Sequence, residues 1–246
     1  MVGPSLPSRV AVLCLLIAVA LLAPRNAAAI TFNGDISYTS DYIYRGISQT
    51  GGRPAGQIDL HVGTSDGTFV GVFGSTLDRL WHREYDTLGW DYELEEYIGH
   101  RFDFSPTWST TLTGVNYQYK HGNAPLNNDY QELSVSVSYL DSWTVTAAFI
   151  PNAVRYSAGY RLGRYPAYSA DSVTQLPLIG RLFLTAGVGY YISDSADYYY
   201  GNAGLAFEFK SLRVDAGYYI AQDRAQDLFP YGRAGSRFAG SVSWHF

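Results

Sequence analysis

Every second residue from Phe238 to the end of the chain is apolar: Phe238, Gly240, Val242, Trp244 and Phe246. The residues between them, Ala239, Ser241, Ser243 and His245, are small or polar. A period of two puts one class of side chain on each face of an extended strand. The chain ends on Phe246 with that pattern still running, and a terminal strand frays unless something pairs with it.

The same alternation recurs along the chain. In 34–44, Ile36, Tyr38, Tyr42 and Tyr44 oppose Asp35, Ser37, Thr39 and Asp41. In 56–64, Ile58, Leu60 and Val62 oppose Gln57, Asp59 and His61. In 131–139, Leu133, Val135, Val137 and Tyr139 oppose Glu132, Ser134, Ser136 and Ser138. In 212–220, Leu212, Val214, Ala216, Tyr218 and Ile220 oppose Arg213, Asp215, Gly217 and Tyr219. Weaker versions cover 68–76, 90–100, 109–119, 143–150, 167–175, 182–192 and 199–209. With the terminal strand the pattern predicts about twelve strands, each about ten residues long, the length of a tilted strand crossing a bilayer.

The predicted connections alternate in length. Short ones fall at 65–67, 101–108, 140–142, 177–181 and 210–211. Those between them are mostly longer, at 45–55, 77–89, 120–129, 151–166 and 221–236, with a shorter one at 193–197. Pro106, Pro125, Pro151, Pro177 and Pro230 lie in predicted connections, and Pro54 and Pro166 at strand starts, where a missing amide proton does least harm. Short turns at one end and longer loops at the other mark an outer-membrane barrel, and an even strand count leaves both termini periplasmic. The composition agrees, with 22 Tyr, 12 Phe, 5 Trp and 25 Gly but no apolar run after residue 29 long enough for a membrane helix. The expected fold is therefore all-β, a transmembrane antiparallel β-barrel. Phe246 pairs within the closed sheet, and Phe238, Val242, Trp244 and Phe246 form the apolar face of a terminal insertion signal. In a soluble barrel or sandwich the apolar faces would point inward; aromatic residues at strand ends favour lipid outside.

Residues 1–29 read as a secretory signal peptide. Arg9 precedes an apolar run too short to span a bilayer, and Ala27 to Ala29 supply small residues for cleavage. The barrel domain is then 30–246. The only cysteine, Cys14, leaves with the signal, so the mature chain has no thiol chemistry. Removing Arg9 and Arg25 from 17 Lys+Arg leaves 15 against 22 Asp+Glu, a balance of −7. That excess of acid argues against nucleic acid as a partner. The partners expected instead are the bilayer with its lipopolysaccharide, the barrel-insertion machinery and small solutes.

Residues 40–60, SDYIYRGISQTGGRPAGQIDL, resemble the opening of the TorF family of proteobacterial outer-membrane porins. Later segments are also similar: FVGVFGSTLD at 69–78, DYELEEYIGH at 91–100, YQYKHG at 117–122 and DYQELSVSVSY at 129–139. The resemblance implies an outer-membrane barrel with a transport function and brings no catalytic residues.

With the polar faces inward, Asp35, Asp41, Asp59, His61, Glu93, Glu95, Glu132, Glu208, Arg213 and Asp215 are expected to line the lumen, with His245 on the same face. An acid-lined, water-filled interior favours cations over anions. The plainer reading of each acid is solvation or pairing across the lumen, as of Asp215 with Arg213. Arg45 has two readings. It folds into the mouth and pairs with luminal acids, or it snorkels at the outer girdle beside Tyr44 and meets lipopolysaccharide phosphate. Glu96 falls on the lipid side of its strand, which calls for a bulge or a different register. No catalytic group, metal site or cofactor is read: the five histidines show no nucleophile partner or ligand spacing, and His82 with Glu84 reads as a loop salt bridge. The function expected is passive diffusion of small polar solutes, cationic or neutral. A barrel serving as adhesin or structural anchor is the alternative, and an outer-membrane hydrolase ranks behind both.

Overall fold

The computed structural model describes residues 29–77, 92–120, 128–157, 160–194, 197–228 and 233–246. The expected signal peptide apart from Ala29, the His82–Glu84 pair and His121 lie outside them. Twelve strands close into one antiparallel barrel: β1 (Ile30–Thr39), β4 (Ala55–Thr64), β5 (Thr68–Thr76), β6 (Tyr92–Asp103), β7 (Trp108–Lys120), β8 (Tyr130–Tyr139), β9 (Trp143–Ser157), β10 (Tyr160–Ile179), β11 (Leu182–Ser193), β12 (Asp197–Phe209), β13 (Leu212–Ala221) and β14 (Arg237–His245). Each pairs with its neighbour in sequence, and β1 pairs with β14 to close the ring. The two remaining strands, β2 (Ile43–Tyr44) and β3 (Ile47–Ser48), pair only with each other, and one helical turn, α1 (Ala225–Leu228), precedes β14.

Closure is completed by the last residue. Phe246 donates its amide to the Gly34 carbonyl and accepts the Gly34 amide, each at 3.0 Å. Gly34 is required by this contact: a Cβ there would lie 2.7 Å from the Phe246 ring. The ring also stands 6.3 Å from Phe32 and 4.9 Å from Trp244. Exposed apolar side chains cover the outer wall, among them Ile36, Val62, Val72, Leu133, Val135, Leu205, Val214 and Val242. Aromatic pairs ring both of its ends: Trp108 with Tyr139 at the short-turn end, and Tyr218 with Phe238, Tyr190 with Tyr199 and Phe149 with Tyr168 at the other. An apolar exterior between two aromatic girdles is what a lipid-embedded barrel presents, and closure leaves no strand edge in hydrocarbon.

Several boundaries differ from the sequence reading. The first strand stops at Thr39, so Tyr42 and Tyr44 leave the sheet and do not join the outer girdle. The expected loop at 151–166 is mostly sheet, because β9 and β10 run on as a long hairpin. Pro151 and Pro166, residues that usually end strands, both lie inside it. Register shifts in this hairpin between Tyr165 and Ala167, so both prolines sit at an irregularity that spares the ladder a missing donor. Pro177 likewise adjoins a shift between Pro177 and Ile179.

Glu96 does face outward, and neither a bulge nor a shifted register relieves it: β5 and β6 pair without interruption from Thr76↔Tyr92 to Thr68↔His100. Relief comes from an outward amide ladder. Asn116 Nδ2 donates to Glu96 Oε2 at 3.0 Å, Gln131 Nε2 to Asn116 Oδ1 at 2.7 Å, and Asn152 Nδ2 to Gln131 Oε1 at 2.7 Å.

Deleting Phe246 removes the last hydrogen-bonded pair of the closing seam and the ring over Gly34. The expected outcome is a sharp fall in membrane-inserted, heat-modifiable protein, read by gel migration of membrane fractions with and without boiling; unchanged levels of the folded band would contradict it.

Candidate functional site

The side chains that depart from a plain barrel gather where β2 and β3 turn into the lumen. Arg45 and Gly46 join the two strands with φ of 48° and 75°. Positive φ at both central residues is the mark of a two-residue hairpin turn whose twist suits the flanking strands. Glycine is needed at 46 for a second reason: a Cβ there would meet the Tyr200 Cβ at 2.7 Å and the Ala221 Cβ at 3.0 Å. The hairpin thus lies directly against the inner faces of β12 and β13.

Its tip is fixed by charge. Arg45 forms a two-pronged pair with Glu132 across the barrel, Nη1 to Oε2 at 2.9 Å and Nη2 to Oε1 at 2.8 Å, with side-chain exposures of 10% and 7%. The guanidinium also lies 4.7 Å from the Tyr44 ring centre, and the Tyr44 hydroxyl is 3.1 Å from that of Tyr117. Tyr117 in turn stacks on Tyr130 at 4.3 Å. Arg45 therefore sits inside the lumen and not at the outer girdle.

The hairpin's base is held by polar bonds around Asp41, which the sequence placed on a strand face and the structure places in the bend after β1. Asp41 accepts from the Ser48 hydroxyl at 2.5 Å, the Thr50 hydroxyl at 2.8 Å and Arg237 Nη1 at 3.0 Å. Arg233 donates to the carbonyls of Ser48 and Gln49, and Ile47 is buried with Tyr198, Ala221, Ala225 and Ala234. The segment before β14 thus clamps the hairpin from above. Breaking a nearly buried, doubly bonded ion pair leaves one charge without a partner, at a cost of about 3 kcal/mol. Arg45→Ala and Glu132→Gln are each expected to destabilise the folded barrel by about that amount, and the double variant by clearly less than the two together. Urea unfolding in lipid vesicles reads both; additive losses would contradict the coupling.

The other expected luminal residues take these places. Asp35, Asp59 and Glu95 fall in one cross-strand row of the inner face, with Phe73 between Asp59 and Glu95, and Tyr117 and Tyr130 beyond. Asp59 is bonded by His61 at 2.8 Å and, at both oxygens, by the Tyr97 hydroxyl at 2.9 Å; Asp35 is bonded by His245. Glu93 is buried at the next row and receives the Tyr42 and Tyr119 hydroxyls. Glu208, Arg213 and Asp215 stand apart as a cluster near the short-turn end, where Arg213 Nη1 meets Glu208 at 2.7 Å and Gln175 at 2.8 Å, and Nη2 meets Asp215 at 2.8 Å. Among the described residues, no three His, Cys, Asp or Glu side chains converge to hold a metal ion.

Sequence reasoning missed Asp171, which the Tyr200 hydroxyl approaches at 3.4 Å, and most of the inward tyrosines. Alternation carried a signal for Tyr97, which shares a face with Glu93 and Glu95. It carried none for Tyr191, Tyr198 and Tyr200, whose tyrosine neighbours put the same residue type on both faces.

The family model described as "Bacterial protein of unknown function (Gcw_chp)" matches residues 23–246, and it is this family, not the TorF name suggested by residues 40–139, that the match supports. No curated protein matches the sequence. Among solved structures the chain is similar to the KdgM porin at 10% identity and a TM-score of 0.52, covering 87% of this chain and 99% of that one. It is also similar to the KdgM porin in complex with disordered oligogalacturonate, at 9% identity and a TM-score of 0.51, covering 89% and 99%. At these identities the likeness is one of fold, a closed antiparallel barrel of the porin kind.

Proposed function

We propose that this chain, which belongs to the Gcw_chp family of bacterial proteins of unknown function, is an outer-membrane channel whose lumen is narrowed by its own β2–β3 hairpin and passes small cations and neutral polar solutes. In this reading residues 1–29 direct export and are removed, the apolar face of β14 through Phe246 is presented to the barrel-insertion machinery, and the girdles meet lipid and lipopolysaccharide.

The observation that carries the reading is how the luminal charges are partnered. Arginines on the inward face are held by carboxylates: Arg45 by Glu132, Arg213 by Glu208 and Asp215, Arg237 by Asp41, and Arg101 by Asp103 and Asp141. Asp35, Asp59 and Asp171 have only histidine or tyrosine partners, and Glu95 has neither a hydrogen bond nor an ion pair among the described residues. The residual potential along the wall is negative, which concentrates cations and repels anions until salt screens it. Oligogalacturonate, the ligand of the similar KdgM structure, is a polyanion and does not suit such a wall. A twelve-stranded barrel lies between eight strands, which side chains fill, and about sixteen, which leave an open channel, so a single folded-in hairpin decides its bore.

Planar-bilayer recordings test the proposal. Small unitary conductance and a reversal potential of cationic sign in a potassium chloride gradient are expected, with selectivity falling as salt rises. Arg45→Ala, which releases the hairpin tip, is expected to raise conductance. Anion selectivity would contradict the charge argument, and silence from folded protein in both forms would favour a barrel that serves as an anchor.

A further inference from the structure

We propose that the inner wall around Glu95 is a binding site for organic ammonium ions. The inference rests on the channel reading only for the ligand's way in. Across β4, β5, β6 and β7 the paired inward residues run Asp59, Phe73, Glu95, Tyr117, so an acid and an aromatic ring alternate at cross-strand spacing. An organic ammonium ion needs an opposing charge for its head and an apolar surface for its carbons. A carboxylate meets the first need; an adjacent ring face meets the second and adds cation–π attraction. A bare metal ion is served less well, because the flanking groups are rings and no three ligating side chains converge among the described residues.

Two observations bear on the charge balance among the described residues here. Glu95 feels the charges of Glu93, Glu132 and Asp59, and Arg45, the cation acting beside them, already has both terminal nitrogens on Glu132. Glu95 is partly buried on the inward face, with no hydrogen bond or ion pair among the described residues. Independently, Glu93 is only 1% exposed, yet among the described residues its Oε2 has no hydrogen-bond partner, although two tyrosine hydroxyls reach its carboxylate. Buried polar atoms are almost always satisfied, and the exceptions call for an absent partner. Glu93 and Glu95 lie two residues apart on one face of β6, about 7 Å at strand rise, a spacing that a short diammonium chain spans.

The test is equilibrium binding to the refolded full-length barrel in detergent, by isothermal titration at constant ionic strength, with 1,4-diaminobutane as probe and sodium chloride and glucose as comparisons. Saturable binding of the diamine alone is expected. Glu95→Gln is expected to weaken it at least about tenfold, the loss of a charged hydrogen bond, and Phe73→Leu about threefold, the loss of a ring face, both in protein that keeps its heat-modifiable migration. Equal affinity in Glu95→Gln and the parent chain, or sodium competing as well as the diamine, would overturn the site. Cation-selective conduction without saturable binding would overturn it while leaving the channel intact. Binding by a barrel that does not conduct would support the site and remove the channel.

Discussion

The structure depends on one seam, the pairing of β1 with β14. Open, the sheet would present two rows of unpaired amides and carbonyls to hydrocarbon, each costing several kcal/mol as a buried polar group without a partner. Closed, the outer wall exposes side chains only, and the apolar half of every strand's alternation meets lipid. The contact of Phe246 with Gly34 adds the outermost hydrogen-bonded pair to that ring. Everything inside the barrel follows from closure, because closure creates an interior lined by the polar half of the same alternation.

That interior is not left to water alone. The β2–β3 hairpin crosses it, and its anchors come from opposite parts of the wall: Glu132 and Tyr117 on β8 and β7, Tyr200 and Ala221 on β12 and β13, and Arg237 at the start of β14. Such an element is positioned by the closed ring, since no single pair of neighbouring strands offers both sets of contacts. The polar bonds around Asp41 place the hairpin's base at the seam itself, so closing the barrel and narrowing its bore are physically linked.

Strand number, topology and the outward apolar face were legible in the sequence because they rest on a period of two, which is local. The inward course of residues 40–54 was not. Tyr42 and Tyr44 continue the alternation of Ile36 and Tyr38, and nothing in that pattern separates a strand from a hairpin that has left the sheet. The decisive signal, positive φ at Arg45 and Gly46, was present only as an Arg-Gly pair, and Arg45's partner Glu132 is distant in sequence. The long β9–β10 hairpin was missed for the opposite reason: Pro151 and Pro166 usually end strands, and here a register shift absorbs both. Candidate luminal acids were readable strand by strand, but which of them share a row depends on registers that no single strand reports.

Glu95 and Glu96 show most directly how the two faces differ. They are consecutive in sequence and identical in chemistry, and the pleat sends them to opposite sides of one sheet. Glu96, on the outer wall, heads a ladder of three amide side chains that hydrogen-bond it and one another across β7, β8 and β9. Glu95, on the inner wall, has no hydrogen bond or ion pair among the described residues. A carboxylate facing hydrocarbon must find donors in the protein, because lipid supplies none. One facing water finds them in solvent. The pleat alone therefore decides which of two neighbouring carboxylates the protein itself must partner and which it leaves to the lumen and its solutes.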